Sequence, residues 1–295
     1  MHACVIFNPT AKGDKARRLQ AQLDLIAHYA VLKKTSAAGD ARRLAAEAIA
    51  EGCTTVIAAG GDGTVNEVLN GIGDANAFAR VRLGVLPLGT INVFARELGI
   101  PLDVDAAWQL VVRGRYTHLD LPCVDFSQHG QTQRRYFVQL GGAGLDARAI
   151  ELVNWEQKKK FGPLAYVLAG WRALRERQPK ITVVTQRQTL TGEFVLLGNG
   201  ELYGGRMKIF PTADLRDGLL DVCVFPRVGI FSMTASGLWA AVFGKLPPLD
   251  VQRVRSAEIM LTSATRTGFE LDGDFVGCLP AKFSVAKERL RVIVP

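Results

Sequence analysis

The residues with the clearest chemical use are Ala59-Gly60-Gly61-Asp62-Gly63-Thr64-Val65-Asn66-Glu67, which follow an apolar run at 54–59. They open a helical pattern with Val65, Val68, Leu69 and Ile72 on one side. Glycines let a backbone approach a ligand closely. A helix that starts there points unpaired N–H groups at an anion. At the carboxyl end of a parallel strand this is a phosphate site, to which Thr64 and Asn66 add neutral donors. Asp62 would repel phosphate unless it holds a cation or bonds a hydroxyl. The plainer alternative is a turn in which Asp62 caps the helix. Neither a GxxxxGK[ST] loop nor a GxGxxG loop is present here.

A second turn of the same kind is Leu86-Pro87-Leu88-Gly89-Thr90-Ile91-Asn92-Val93-Phe94, and a third begins at Asn8-Pro9 and runs to Lys12-Gly13. Two strand–Gly–Thr–helix turns side by side can hold one polyphosphate. Three turns at one sheet edge are poorly explained as isolated loops.

The elements that must position these turns alternate. Apolar runs at 4–8, 29–33, 54–59 and 82–86 read as strands. Between them lie helical patterns, with Leu19, Leu23 and Ile26 on one face at 15–27 and Leu44, Ala48 and Ile49 on one face at 40–51. That order predicts a doubly wound α/β domain with a parallel sheet covered on both faces. From about residue 120 the pattern changes to short strands at 135–140, 181–185, 194–198, 219–225, 258–262 and 290–294. These predict a mostly antiparallel β-sandwich, interrupted by helices near 163–177 and 229–244. The expected division is 1–120 and 121–295, with the final stretch a candidate to rejoin the first domain.

Of 295 residues, 48% are hydrophobic and 22% charged, as in a globular chain, and the net charge of +8 favours an anionic partner. Five cysteines without a CxxC pair and four histidines without ligand spacing argue against a disulfide framework and a zinc site. The start of the chain lacks a signal-peptide pattern. The longest apolar stretch, 230–244, is shorter than the roughly 20 residues that cross a membrane. The expectation is a cytoplasmic protein, peripherally membrane-associated when active. Nucleic-acid binding is not expected, because the basic residues lack interleaved aromatics.

Taken in order, these segments resemble the diacylglycerol kinase catalytic-domain family of lipid kinases, with the bacterial YegS/DgkB-type members closest in layout. The resemblance rests on Asn8-Pro9, Thr35 with Gly39-Asp40, the loop 60–66 and Leu86-Pro87-Leu88-Gly89-Thr90. It continues through Gly142-Ala143-Gly144-Leu145-Asp146 and Pro211-Thr212-Ala213-Asp214-Leu215-Arg216-Asp217-Gly218-Leu219-Leu220-Asp221-Val222, and ends with Leu271-Asp272-Gly273-Asp274 and 290–295. What it implies is an ATP- and Mg²⁺-dependent kinase acting on a lipid hydroxyl, diacylglycerol-like or phosphatidylglycerol-like. ATP would contact Asn8, Thr35, Gly60, Gly61, Asp62, Gly63, Thr64, Val65, Asn66 and Thr90. Mg²⁺ would take the Asp217 carboxylate and the backbone carbonyls of Asp214 and Leu219, with Asp62 and Asp120 in its wider network. The general base would be Asp274, with Asp272 the competing carboxylate.

Two positions depart from the family pattern: Asp274 stands where Glu is usual, and Val93 where an acid is usual. Two other readings stay open, a soluble-substrate kinase of the NAD kinase type and a catalytically silent nucleotide- or lipid-binding sensor. A further expectation concerns Lys158-Lys159-Lys160, Arg172, Arg175, Arg177 and Lys180, which flank an apolar helix face of Leu164, Val167, Leu168, Trp171 and Leu174. Such a pattern suits an anionic bilayer surface.

Overall fold

Residues 2–9, 14–153, 164–229 and 251–295 are described by a computed structural model of the protein. They divide into two units. The first comprises Met1–Leu121, Tyr136–Val138 and Ala286–Pro295; the second comprises Pro122–Arg135 and Gln139–Val285.

In the first unit, β1 (Ala3–Phe7), β2 (Val31–Lys34), β3 (Thr55–Gly60) and β4 (Arg82–Pro87) form a parallel sheet in the order β2-β1-β3-β4. The C-terminal end of β18 (Ala281–Ile293) extends it, pairing Arg291 with Arg82 and Val292 with Leu83. Every residue of β1 and β3 is buried, so helices must cover both faces. They do so in two pairs: α2 (Asp40–Ala50) packs on α3 (Asp62–Asp74), and α1 (Asp14–Ala27) packs on α5 (Val104–Arg113). The inward residues are those the 3.6-residue period selects, among them Leu19, Ile26, Leu44, Ala48, Val65, Val68, Leu69 and Ile72. Each parallel strand ends at one edge and releases the chain into the next helix, which brings the three polar turns to that edge.

In the second unit, one antiparallel sheet has the order β14-β13-β10-β7-β16-β17. Its strands are β7 (Leu140–Ala143), β10 (Phe194–Gly198), β13 (Leu220–Phe225), β14 (Gln252–Ser256), β16 (Gly268–Leu271) and β17 (Asp274–Cys278). A further antiparallel run joins the N-terminal part of β18 to β15 (Glu258–Ser263), β8 (Ile181–Thr185) and β9 (Thr189–Gly192). β5 (Tyr116–Gln128) pairs with β18 and with β6 (Gln131–Tyr136). Phe126, Phe269 and Phe283 meet edge to face between these layers, with ring centroids 5.1 and 5.7 Å apart. Aromatic pairs of this geometry are worth about 0.5–1.5 kcal/mol beyond their buried area. α6 (Leu145–Leu152) and α7 (Leu164–Leu174) pack on one another, and Leu145, Ala149, Ala169 and Ala173 bury against Phe194, Leu196 and Phe225. The sandwich is a β-sandwich with helices on one side, as the strand pattern suggested.

Several boundaries differ from the sequence reading. The strand expected at 29–33 starts only at Val31, because Tyr29 and Ala30 still bond back to Ile26 at the end of α1. The strand expected at 135–140 is two strands, β6 ending at Tyr136 and β7 starting at Leu140. The break lies where the Tyr136 N–H bonds Asn70 Oδ1 and where the N–H groups of Gln139 and Leu140 bond Asp272, so the ladder cannot continue. β18 begins nine residues before the expected 290, since its first part pairs within the second unit. The helix expected near 163–177 is α7; the one expected near 229–244 lies outside the described residues, as do Lys12 and Lys158-Lys159-Lys160. All five cysteines are free thiols. Among the described residues no helix is long and apolar enough to cross a membrane.

Candidate functional site

The first unit supplies a glycine-lined edge. β3 ends at Gly60 and α3 starts at Asp62, with Gly61 extended between them and no side chain capping the helix. The first-turn N–H groups of α3 therefore carry the partial positive charge of an uncapped helix end. The second loop presses against the first backbone to backbone. A Cβ placed on Gly89 would stand 2.5 Å from Gly61 Cα and 2.6 Å from Asn92 Oδ1. Only glycine allows the two loops so close. Asn92, in the left-handed region at φ 53, fixes the second loop by donating from Nδ2 to the Gly89 carbonyl at 2.6 Å.

Asp62 does not cap its own helix, as the plain-turn reading would have it. Its Oδ1 accepts the Phe94 N–H at 3.3 Å, tying the first loop to the start of the short helix α4 (Val93–Glu97). Val93 is buried at that helix start, which accounts for an apolar residue there. Thr90 is exposed on the second loop, and Asn8 is exposed just past β1. Thr35 lies beside it, its N–H donating to the Phe7 carbonyl at 2.9 Å. Gly63, Thr64 and Val65 form the first turn of α3, with Val65 buried.

Asn66 has structural partners in α3 and at residue 136. Its side-chain amide is turned toward Tyr136, where Nδ2 donates to the carbonyl at 3.2 Å, and its Oδ1 accepts from Asn70. It braces α3 against residue 136. Glu67, which the sequence reading left without a role, accepts the N–H groups of Gly39 and Ala41 at 2.9 Å each and so caps α2 from α3. Asp40 closes the same loop, and its bonds from the Ser36 hydroxyl and the Ser36 and Ala37 N–H groups hold its carboxyl well below the usual range. Asp120 is 4% exposed and paired with Arg289 Nη2 at 2.7 Å, which satisfies a carboxylate that burial alone would penalise.

The second unit supplies carboxylates. Asp272 and Gly273 form the two-residue turn between β16 and β17, with φ 48 and φ 90, the positive pair that a tight hairpin demands. Asp272 Oδ1 accepts the N–H groups of Gln139 and Leu140 at 3.0 Å each, so this carboxylate anchors the turn to β7. Asp274 begins β17 and is exposed. Behind the turn, Glu270 Oε2 accepts the Gly273 N–H at 2.8 Å, and Tyr203 donates its hydroxyl to Asp146 Oδ2 at 2.6 Å.

The turn at 214–219 offers a cation hard oxygens only, the donor type that Mg²⁺ takes. Asp217 Oδ1 accepts the Leu219 N–H at 3.0 Å, while Oδ2 contacts Arg255, whose Nε also donates to Asp221 Oδ2 at 2.9 Å. The Asp214 carbonyl receives the Asp217 N–H only at 3.4 Å, and Asp214 Oδ1 accepts from Arg216 at 3.0 Å. These are oxygen donors of the type Mg²⁺ takes, and both Asp217 oxygens are also held, by the Leu219 N–H and by Arg255. Among the described residues, no group of three or more His, Cys, Asp or Glu side chains is placed to hold a metal.

Comparison with known proteins then covers both units. Residues 2–124 match the family profile described as diacylglycerol kinase catalytic domain, and residues 140–294 match the YegS C-terminal NAD kinase beta sandwich-like domain. A diacylglycerol kinase of Staphylococcus carnosus (strain TM300) is 30% identical over 308 residues, spanning 99% of this chain and 95% of its own. The chain belongs to the diacylglycerol kinase catalytic-domain family of lipid kinases. A second relative in the family, the diacylglycerol kinase of Bacillus subtilis (strain 168), is 29% identical over 99% of this chain and 96% of its own. The fold is shared with a solved diacylglycerol kinase structure from Bacillus anthracis str. Sterne, at TM-score 0.75 and 24% identity, covering 99% of this chain and 96% of that one.

Within the family's pattern, what the sequence reading missed is the support around the site: Glu67, Tyr203, Arg255, Glu270 and Arg289. None has a motif of its own. Glu270 alone carried a signal, a charged residue inside the apolar run Phe269-Glu270-Leu271.

Proposed function

We propose that this family member transfers the γ-phosphate of ATP to a hydroxyl group of a membrane lipid of the diacylglycerol or phosphatidylglycerol class. The observation that carries the reading is the uncapped start of α3 held against the Gly89 loop, a backbone-built anion cradle. The names of the full-length relatives direct the acceptor toward a lipid.

When bound, ATP supplies the phosphoryl group and Mg²⁺ offsets its charge. The chain's own part is positioning. Gly61 and Gly63 keep the backbone open to phosphate oxygens, Gly60 leaves room for the Thr64 side chain and Gly89 for the facing loop. The first-turn amides of α3 would hold the phosphates, and Thr90 and Thr64 offer hydroxyls. Asn8 and Thr35 would meet the rest of the nucleotide. Asp217, with the carbonyls of Asp214 and Leu219, would hold the cation. The Asp274 carboxylate accepts the proton of the attacking lipid hydroxyl, a role typically worth about 10²–10⁴ in rate. Asp274 is assigned the role because its side chain is exposed at the start of β17, whereas Asp272 anchors the turn to β7.

Contact with the bilayer is assigned to α7, where Leu168 is 50% and Trp171 43% exposed on one face beside Arg172 and Arg175. A partly exposed apolar strip flanked by arginines suits an anionic surface. The test is incubation with radiolabelled ATP and mixed micelles of dioleoylglycerol and phosphatidylglycerol, followed by thin-layer separation. Label that moves with lipid, and only with Mg²⁺ present, is expected. Label that stays in the aqueous phase with every lipid tried would overturn the reading.

A further inference from the structure

The proposed base sits on a two-residue turn, and such a turn is a poor support for a group that must be held to a fraction of an ångström. The structure braces it from two directions. Asp272 grips the first residues of β7 through Oδ1, and its own N–H donates to the Leu140 carbonyl at 3.0 Å. Glu270, only 3% exposed, reaches forward along its own strand and accepts the Gly273 N–H at 2.8 Å. Without that bond, the left-handed peptide before Asp274 would lose an anchor.

A buried glutamate is a costly choice for accepting a single neutral N–H, and its neighbours make it costlier. A Cβ placed on Gly142 would lie 2.8 Å from Glu270 Oε1 and 3.4 Å from Asp146 Cβ, so the two acidic side chains converge over that glycine. The groups that act on Glu270 are the carboxyls of Asp146, Asp272 and Asp274, and the phenol of Tyr203 lies close enough to feel both Glu270 and Asp146. Burial, then the charge of Asp146, push the Glu270 carboxyl well above its ordinary range. Burial raises Asp146 too, against the lowering effect of the Tyr203 hydrogen bond.

We propose, on the basis of the kinase reading above, that Glu270 is a positioning residue for phosphoryl transfer, holding the Asp272-Gly273-Asp274 turn as a neutral carboxylic acid. Oε2 accepts the Gly273 N–H, and Oε1, which lies over Gly142 where Asp146 also approaches, carries the proton. A neutral acid holds the turn without adding a further negative charge beside Asp274, the proposed base. Asp146, bonded by Tyr203, is the half-buried neighbour that approaches Oε1 over Gly142.

The test compares Glu270→Gln, Glu270→Ala and the wild type in full-length protein, with dioleoylglycerol micelles and ATP. Glutamine keeps the acceptor and is permanently neutral, so E270Q should hold kcat within about threefold. E270A loses the acceptor and should lower kcat by about 100-fold with KM for ATP unchanged. The alkaline decline of kcat caused by ionisation of Glu270 should vanish in E270Q. An E270A protein that melts cooperatively and keeps wild-type kcat overturns the proposal, and so does an E270Q protein as impaired as E270A. A readout independent of turnover is the carboxyl carbon resonance of ¹³C-labelled Glu270, assigned by its absence in E270Q. It should report a protonated acid at neutral pH, and an ionised one overturns the proposal. If the wild type labels no lipid, the kinase reading fails while this resonance still decides the state of Glu270.

Discussion

The glycine edge of the first unit and the acidic turn of the second solve opposite electrostatic problems. In the proposed reaction the first would attract anions with backbone: an uncapped helix start, two loops in contact at Gly61 and Gly89, and exposed Thr90. Its one acid at the loop, Asp62, accepts the Phe94 N–H. The second would present the Asp274 carboxylate as a base, near a buried Glu270 that accepts the Gly273 N–H and an Asp146 bonded by Tyr203. The lesson is that a backbone-built site tolerates no added Cβ, whereas a side-chain-built site depends on protonation state.

That contrast can be broken most severely at Gly89. A Gly89→Ala change puts a methyl 2.5 Å from Gly61 Cα, and backbone cannot swing aside as a flexible side chain would. Overpacking of about 1–3 kcal/mol, taken largely from the loop geometry, should weaken ATP binding by about 10- to 100-fold by calorimetry. Unaltered affinity would mean that contact between the loops does not shape the nucleotide site.

Next in size is Asp272→Ala, which leaves the N–H groups of Gln139 and Leu140 without their carboxylate. Chemical denaturation should show a loss of about 1–3 kcal/mol. A loss of stability near zero would show that Asp272 is no anchor and would reopen its competition with Asp274.

The acidic region should also carry the pH dependence. The folded value of Glu270 lies above its ordinary one of about 4.3. Its stabilising contribution is therefore full below that ordinary value and is lost as pH rises through the folded one. Melting temperatures of the wild type and E270Q should diverge accordingly, the wild type gaining relative to the variant toward acid pH. A constant difference across the range would contradict the assignment. The smallest effect belongs to the glycine edge: Glu67→Ala removes two acceptors from the start of α2 and should cost about 1 kcal/mol in urea unfolding.

The same contrast explains what could be read from the chain. The glycine edge was legible because it is local: strand, glycine pair and helix follow one another, and the buried positions of α2 and α3 repeat at helical spacing. The carboxylates at 272 and 274 were legible only as members of an ordered set of motifs. Their supports were not, because Glu270, Asp146 and Tyr203 come from β16, α6 and a separate short strand at Leu202–Tyr203, and no spacing joins them. The bracing partner of Asn66 was hidden for a related reason: it is Tyr136, seventy residues on. The strand expected at 135–140 failed likewise, since the partners that break it, Asn70 and Asp272, are remote in sequence.

The most direct test of the account is a single-turnover experiment with radiolabelled ATP bound in advance to wild type or Asp274→Asn, then mixed with dioleoylglycerol micelles. Both should hold ATP equally, and the wild type should pass its label to lipid about 10²–10⁴ times faster than the variant. Transfer at the same rate by both proteins would contradict the assignment of Asp274 as the base.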